Sequence, residues 1–328
     1  MSKVGIIGAG AWGTTLSLLL AEKGHEVILW VYEKELVPEI IKYRENKKFL
    51  PGFSLPESIK ITFEIKDLKD LEIYFFVVPT QFLRSVAKKF AKVINFSSLV
   101  VSASKGIEEG TLKFPLEILK EELKNENLLV LSGPNLSKEI ASGLPAATVV
   151  ASKNEALALE IQKVLTSARF RVYTNRDVVG VQLGGALKNV IAIAAGIVDG
   201  LGLGDNAKAG LMIRGIVEIT RLGVALGAKL ETFAGLSGMG DLIATCSSKL
   251  SRNHYVGEQI AKGRKLKELL AEMKDVAEGV PTTLAAMELA KKFNTMLPIT
   301  QEVYKVLYRD KDPYQAIMDL MTRTPTSE

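Results

Sequence analysis

The chain opens on KVGIIGAGAWGT at residues 3–14, an apolar run that breaks into three spaced glycines. Residues 3–7 are short and β-branched, the pattern of a strand buried on both faces. Gly8, Gly10 and Gly13 then fit the spacing GxGxxG. There the first glycine permits a tight turn, the second lets a diphosphate approach the backbone, and the third lets helix and sheet pack closely. Ala11 and Trp12 fall where the first free N–H groups of a helix can meet an anion. Helical spacing follows over 14–23, Gly24 stops it, and 26–32 returns to strand character. A structural glycine turn would also produce the motif alone. Strand, turn, helix and second strand in this order mark a dinucleotide-binding unit.

Further strands are expected at 59–63, 73–77, 98–102, 128–131 and 147–150, with helices at 81–90 and 112–123 between them. This alternation predicts an α/β fold with a doubly wound, Rossmann-type parallel sheet. Composition changes near residue 178. Apolar residues recur over a broad face from 179 to 198, and helical spacing continues at 209–227, 256–262, 282–292 and 300–309. The expected domains are a dinucleotide-binding domain at 1–178 and an all-α substrate domain at 179–328, ending in a frayed tail at 322–328.

With 42 basic and 37 acidic residues, the net charge of +5 is too slight and too evenly spread for nucleic acid, but it suits small anions. The mixed tract 262–274 reads as a solvated helix face. A single cysteine, Cys246, excludes a disulfide within the chain and a cysteine-based zinc site, and it favours a reducing compartment. No metal is expected. The first apolar stretch runs straight into the glycine motif, unlike a signal peptide. The longest candidate membrane segment, 190–198, is about half of a spanning length. A cytoplasmic protein without an integral membrane segment is expected.

A nicotinamide cofactor implies hydride transfer, and carbonyl reduction then needs an acid for the forming alkoxide and a cation to stabilise it. Of the two histidines, His25 reads as a turn residue, and His254 has better candidates beside it. Lys188 stands in GGALKN on an otherwise apolar helix, with Gly184 and Ala192 one turn to either side. A lysine there points to a cleft, or more plainly to a snorkelling interface residue. Lys105 follows the fifth strand, at the sheet edge where ligands bind, although exposed loop lysines are common. Asp241, in GMGDL, can hold an ammonium. Ser251, Arg252 and Asn253 gather hydroxyl, guanidinium and amide, as a phosphate clamp or as a helix cap beside a surface arginine. Glu33, about twenty residues past the glycines, is placed for the ribose hydroxyls of NAD. No arginine stands at 31–33, although Lys34 follows, so NAD is favoured over NADP. Glu33 and Cys246 also have plain readings, as a strand-end residue and a small half-buried residue. From the residues alone, another phosphorylated-sugar or hydroxy-acid dehydrogenase and a non-catalytic dinucleotide sensor stay open.

The first half carries GAGAWGT at 8–14, VVPTQFLR at 77–84, SKGIEEGT at 104–111 and LSGPN at 131–135. The second carries GVQLGGALKNVIAIAAGIVDGLGLGDNAKAGL at 180–211, GLSGMGDLIATCSSKLSRN at 235–253 and EGVPT at 278–282. By these stretches the chain, from Val4 to about Tyr308, closely resembles the bacterial NAD(P)-dependent glycerol-3-phosphate dehydrogenase family. The resemblance implies reversible interconversion of dihydroxyacetone phosphate and sn-glycerol 3-phosphate with NAD or NADP, feeding phospholipid synthesis, and a homodimer. By the same resemblance Lys188 is the acid or base, Lys105 binds and polarises the substrate, and Asp241 pairs with the catalytic lysine. Asn189 and Thr245 line the substrate site, Arg252 and Asn253 hold the phosphate, and Gly133, Asn135 and Ser251 add substrate contacts. Trp12, Ser137, Val276 and Glu278 match cofactor contacts, with Ala11, Tyr32, Lys105 and Arg252 beside them. Three departures stand out. Val31, Tyr32 and Glu33 replace a stretch where many members have arginine, Asn135 replaces a usual Ser or Thr, and Ser137 a usual alanine.

Overall fold

The computed structural model describes residues 1–273 and 276–325, so Lys274 of the charged tract and the last three residues of the expected tail lie outside the described residues. Eight strands form one sheet: β1 (Lys3–Ile7), β2 (Glu26–Trp30), β3 (Ile59–Thr62), β4 (Ile73–Phe76), β5 (Leu99–Ser102), β6 (Leu128–Ser132), β7 (Ala146–Ala151) and β8 (Phe170–Asn175). Their order is β3-β2-β1-β4-β5-β6-β7-β8. The chain builds outward from β1 in one direction, then returns to build from β4 in the other. That reversal leaves a crevice at the carboxyl ends of β1 and β4, where Gly8 and Val77 emerge.

Strand side chains alternate between two apolar layers, one on each face. Val4, Ile6, Phe75, Val101 and Leu131 enter one, while Ile7, Tyr74, Phe76, Val100 and Val130 enter the other. Burial on both faces explains why these strands read as continuous apolar runs.

The expected α/β class, with a mainly parallel sheet followed by helices, is the one observed, with two differences. β6 and β7 pair antiparallel, Leu131 opposite Val150. The connection between them, residues 133–145, contains only the short helix Ser137–Ala141. It reverses the chain and does not carry it back across the sheet, as a parallel pairing requires. β8 was not among the expected strands. It pairs parallel with β7 and buries Phe170 and Val172 while Arg171 and Tyr173 stay outside.

By internal packing the chain divides into two units, residues 1–105 with 114–181, and residues 106–113 with 182–328. The division falls inside the helix Val178–Gly200. That helix is long and apolar enough to cross a membrane by length and composition, yet its apolar window is entirely buried. The apolar stretch is thus longer than the 190–198 read from the sequence, because Lys188 is the only charge between 178 and 198.

Candidate functional site

In the first unit the glycine turn is fixed by space. Gly8 has φ +111°, and a Cβ there would lie 2.4 Å from the Val77 carbonyl oxygen. A Cβ on Gly13 would lie 1.9 Å from the Gly8 oxygen, whereas one on Gly10 would meet nothing within 4 Å. Gly8 and Gly13 are therefore required by the protein itself, and Gly10 keeps open the space in front of the turn. The helix Ala11–Glu22 starts here with no side chain capping it. Its leading N–H groups remain for an anion, which is the donor set a dinucleotide diphosphate needs.

Sequence reasoning missed the residue that braces this turn. Asn46 is buried, and its Nδ2 donates to the Ala9 carbonyl (2.7 Å) and to Thr14 Oγ1 (2.9 Å). Its Oδ1 accepts from the Phe49 amide at 3.3 Å. Within the lysine-rich run RENKKF nothing local announces an inward amide.

At the end of β2, Glu33 lies 3.5 Å from Lys48 Nζ, while the Lys34 ammonium sits over the Phe63 ring, 5.3 Å from its centre. Tyr32 is exposed, and Lys89 lies 5.2 Å from its ring centre. Trp12 packs against Phe170, with ring centres 6.3 Å apart, and its buried Nε1 has no partner among the described residues. Ser137 begins its helix, and its carbonyl accepts from Thr15 Oγ1 at 3.2 Å. Beyond β5 and β6, Lys105 Nζ donates to the Gly133 carbonyl at 2.7 Å. Asn135 Nδ2 donates to Thr148 Oγ1 at 3.3 Å, and its buried Oδ1 has no partner among the described residues. The structure thus gathers Lys105, Gly133 and Asn135 beside the carboxyl end of β6.

In the second unit Lys188, Asp241 and Thr245 converge. Lys188 Nζ donates to Asp241 Oδ1 (2.7 Å) and to Thr245 Oγ1 (2.6 Å), and Thr245 Oγ1 donates to Asp241 Oδ1 at 3.2 Å. All three are buried. Asp241 and Thr245 stand four residues apart on the helix Asp241–Ser247, so they share a face. One turn before Lys188, a Cβ on Gly184 would lie 2.6 Å from the Ser237 carbonyl oxygen. Only glycine allows that approach, which brings the segment leading into Asp241 against the lysine. Cys246, next to Thr245, is fully buried. Burial pushes its thiol up to about 12, which rules out a thiolate nucleophile at neutral pH.

The helix Arg252–Ala261 begins at the expected clamp, with Ser251 as its cap, Oγ accepting from the His254 amide at 3.2 Å. Asn253 is used internally at both ends. Its Nδ2 donates to Asn189 Oδ1 (2.9 Å), and its Oδ1 accepts from the Gly279 amide (2.9 Å). It therefore ties the clamp to the start of the helix Gly279–Lys292, directly after Val276 and Glu278. Arg252, at the first helical position, is exposed. His254 Nε2 lies 2.7 Å from Asp199 Oδ2, which also accepts from Lys208 at 2.5 Å. Burial pushes the Asp199 carboxyl up, but the bonds from Lys208 and His254 outweigh it and hold the group below the usual carboxylate range.

A family model described as NAD-dependent glycerol-3-phosphate dehydrogenase N-terminus matches residues 3–158, and its C-terminus counterpart matches residues 177–318. A glycerol-3-phosphate dehydrogenase (NAD(P)+) of Geobacter sp. strain M21 is 51% identical over 330 aligned residues, 99% of this chain and 98% of the relative. The crystal structure of glycerol-3-phosphate dehydrogenase from Coxiella burnetii is similar with a TM-score of 0.93 at 37% identity, covering 98% of this chain and 99% of that one. The glycerol-3-phosphate dehydrogenase of Saccharomyces cerevisiae gives 0.83 at 29% identity, with coverage of 98% and 99%.

Proposed function

The chain belongs to the NAD-dependent glycerol-3-phosphate dehydrogenase family, and from that membership we propose how its own residues interconvert dihydroxyacetone phosphate and sn-glycerol 3-phosphate with NAD or NADP. The observation that carries the proposal is Lys188 held between Asp241 and Thr245. Among the described residues these two take two of the three N–H donors of the ammonium, which leaves one for a carbonyl oxygen. When bound, the reduced cofactor supplies a hydride to C2 of the ketone. Lys188 donates its remaining proton to the oxygen as negative charge develops there, and in the reverse direction takes it back. Asp241 holds the ammonium in place and balances its charge in a buried setting, and Thr245 fixes its direction.

Arg252 pairs with the substrate phosphate, supported by the leading N–H groups of its helix and by the Ser251 cap. Asn189 and Asn253 set the shape of the same floor. Lys105, with Gly133 and Asn135, polarises the carbonyl. In the first unit Gly8, Gly10, Ala11, Trp12 and Gly13 hold the diphosphate and neighbouring groups, Tyr32 and Glu33 face the adenosine end, and Ser137 completes the set. A cytoplasmic location fits the single, buried cysteine. A homodimer fits the exposed Ile213, Val217 and Val224, which fall on one face of the helix Gly204–Ala225.

The test is initial velocity of the purified protein with NADH and dihydroxyacetone phosphate. NADH oxidation that requires the ketone phosphate is expected. Cofactor binding without turnover refutes the reading and favours a sensor.

A further inference from the structure

NAD and NADP differ only by a phosphate on the adenosine 2′ oxygen, so discrimination rests on the charges that meet that oxygen. An acidic residue accepts the free hydroxyls of NAD, and a cation is needed for the 2′-phosphate of NADP. Glu33 occupies the acidic position. By sequence the neighbouring cation is Lys34. In the structure the Lys34 and Lys48 ammoniums each lie over a ring, 5.3 Å from the centre of Phe63 and 4.8 Å from that of Phe49, and it is Lys48 that also reaches Glu33, at 3.5 Å. Both side chains of that pair are partly exposed, 35% for Lys48 and 28% for Glu33, so either can turn to a ligand without leaving a buried charge behind.

Lys48 is also held in register with the cofactor turn. Two residues earlier Asn46 is bonded to Ala9 and Thr14 of that turn, and one residue later the Phe49 amide bonds back to Asn46. The segment carrying Lys48 is therefore braced against the element that grips the diphosphate.

We propose that Lys48 is the specificity-determining cation for the adenosine 2′ position. With NAD(H), Glu33 accepts the ribose hydroxyls and Lys48 balances its charge. With NADP(H), Glu33 turns away and Lys48 pairs with the 2′-phosphate. Acceptance of both cofactors then follows from one mobile ion pair, without an arginine at the end of β2. The inference rests on the dehydrogenase reading above for the location of the dinucleotide.

The test uses ligands that cannot transfer hydride, ADP-ribose and 2′-phospho-ADP-ribose, titrated calorimetrically into the full-length protein. Lys48→Ala should weaken the 2′-phosphorylated ligand by about tenfold or more, the worth of one charge-assisted contact, and leave ADP-ribose within about threefold. Lys34→Ala should leave both ligands within about threefold. Equal losses for the two ligands in Lys48→Ala, a selective loss in Lys34→Ala, or a wild-type protein that binds only ADP-ribose each overturns the proposal. Failure of both ligands, together with no NADH oxidation by dihydroxyacetone phosphate, refutes instead the dinucleotide reading on which it stands.

Discussion

Replacing Lys188 by Met and Asp241 by Asn, singly and together, separates the chemistry of the pair from its part in stability. The two charged atoms lie 2.7 Å apart on side chains only 8% and 2% exposed. At an effective dielectric constant of about 20 their attraction is about 6 kcal/mol, offset in part by the cost of taking both charges out of water. Removing one partner takes the opposite charge away from the other in a buried setting. Each single variant should lose roughly 3–5 kcal/mol of unfolding free energy in a urea titration. The double variant carries no buried charge at this place and should be more stable than the sum of the single effects predicts, by roughly 3 kcal/mol. Turnover behaves differently. Lys188→Met should lose about 10²–10⁴-fold in kcat while keeping its affinity for NADH, and Asp241→Asn added to it should restore no activity. Additive destabilisation in the double variant would show that the two groups do not stabilise one another. Near-normal turnover in Lys188→Met would remove the lysine from the mechanism.

In Gly13→Ala the new Cβ, 1.9 Å from the Gly8 oxygen, forces the turn open, and NADH affinity should fall on the order of 100-fold by fluorescence titration; an unchanged Kd contradicts the packing argument. Asn46→Ala removes two hydrogen bonds to the same turn and should raise the KM for NADH roughly tenfold with kcat and the KM for dihydroxyacetone phosphate unchanged. A fall in kcat alone would place its effect elsewhere. Arg252→Ala should raise the KM for dihydroxyacetone phosphate by about 10–100-fold, and unchanged substrate kinetics take it out of the clamp. Asp199 has a folded-state pKa below its unfolded value, so the stability it contributes is present above the unfolded pKa and lost as pH falls through the folded one. The gap in Tm between wild type and Asp199→Asn should be full near neutral pH and shrink progressively as pH falls below about 4. A gap independent of pH contradicts the ion-pair assignment.

How much of this was legible in the sequence depended on how local each cause is. The glycine turn was readable because its pattern is compact: Gly13 answers to Gly8 within the same turn, although the space Gly8 itself needs is set by Val77, far along the chain. Lys188 stood out because an ammonium on an apolar helix is costly wherever that helix packs. Its partner Asp241 was a candidate from its glycine-rich loop, whereas Thr245 entered only through the family resemblance, since a threonine carries no comparable cost. Asn46 and the double use of Asn253 were invisible, because an amide takes its partners from whatever tertiary packing brings near. Lys34 and Lys48 make the same point for charge: adjacency in sequence favours the first, and the fold turns the second toward Glu33. β8 is a different kind of miss, since the alternation of FRVYTN was present. Helix starts were read late where the first turn is polar: 209 for the observed Gly204, and 256 for the observed Arg252.

The buried helix Val178–Gly200 has one consequence outside the folded protein. To machinery that sorts nascent chains by hydrophobicity, twenty-three residues of this composition resemble cargo for a lipid bilayer. Lys188 is the eleventh of them, next to the midpoint, where a lysine adds roughly 2.5–3.5 kcal/mol to the free energy of insertion. The ammonium to which the proposed mechanism gives proton transfer would thus also weigh against membrane insertion of the unfinished chain. Replacing it by an apolar residue would remove both at once.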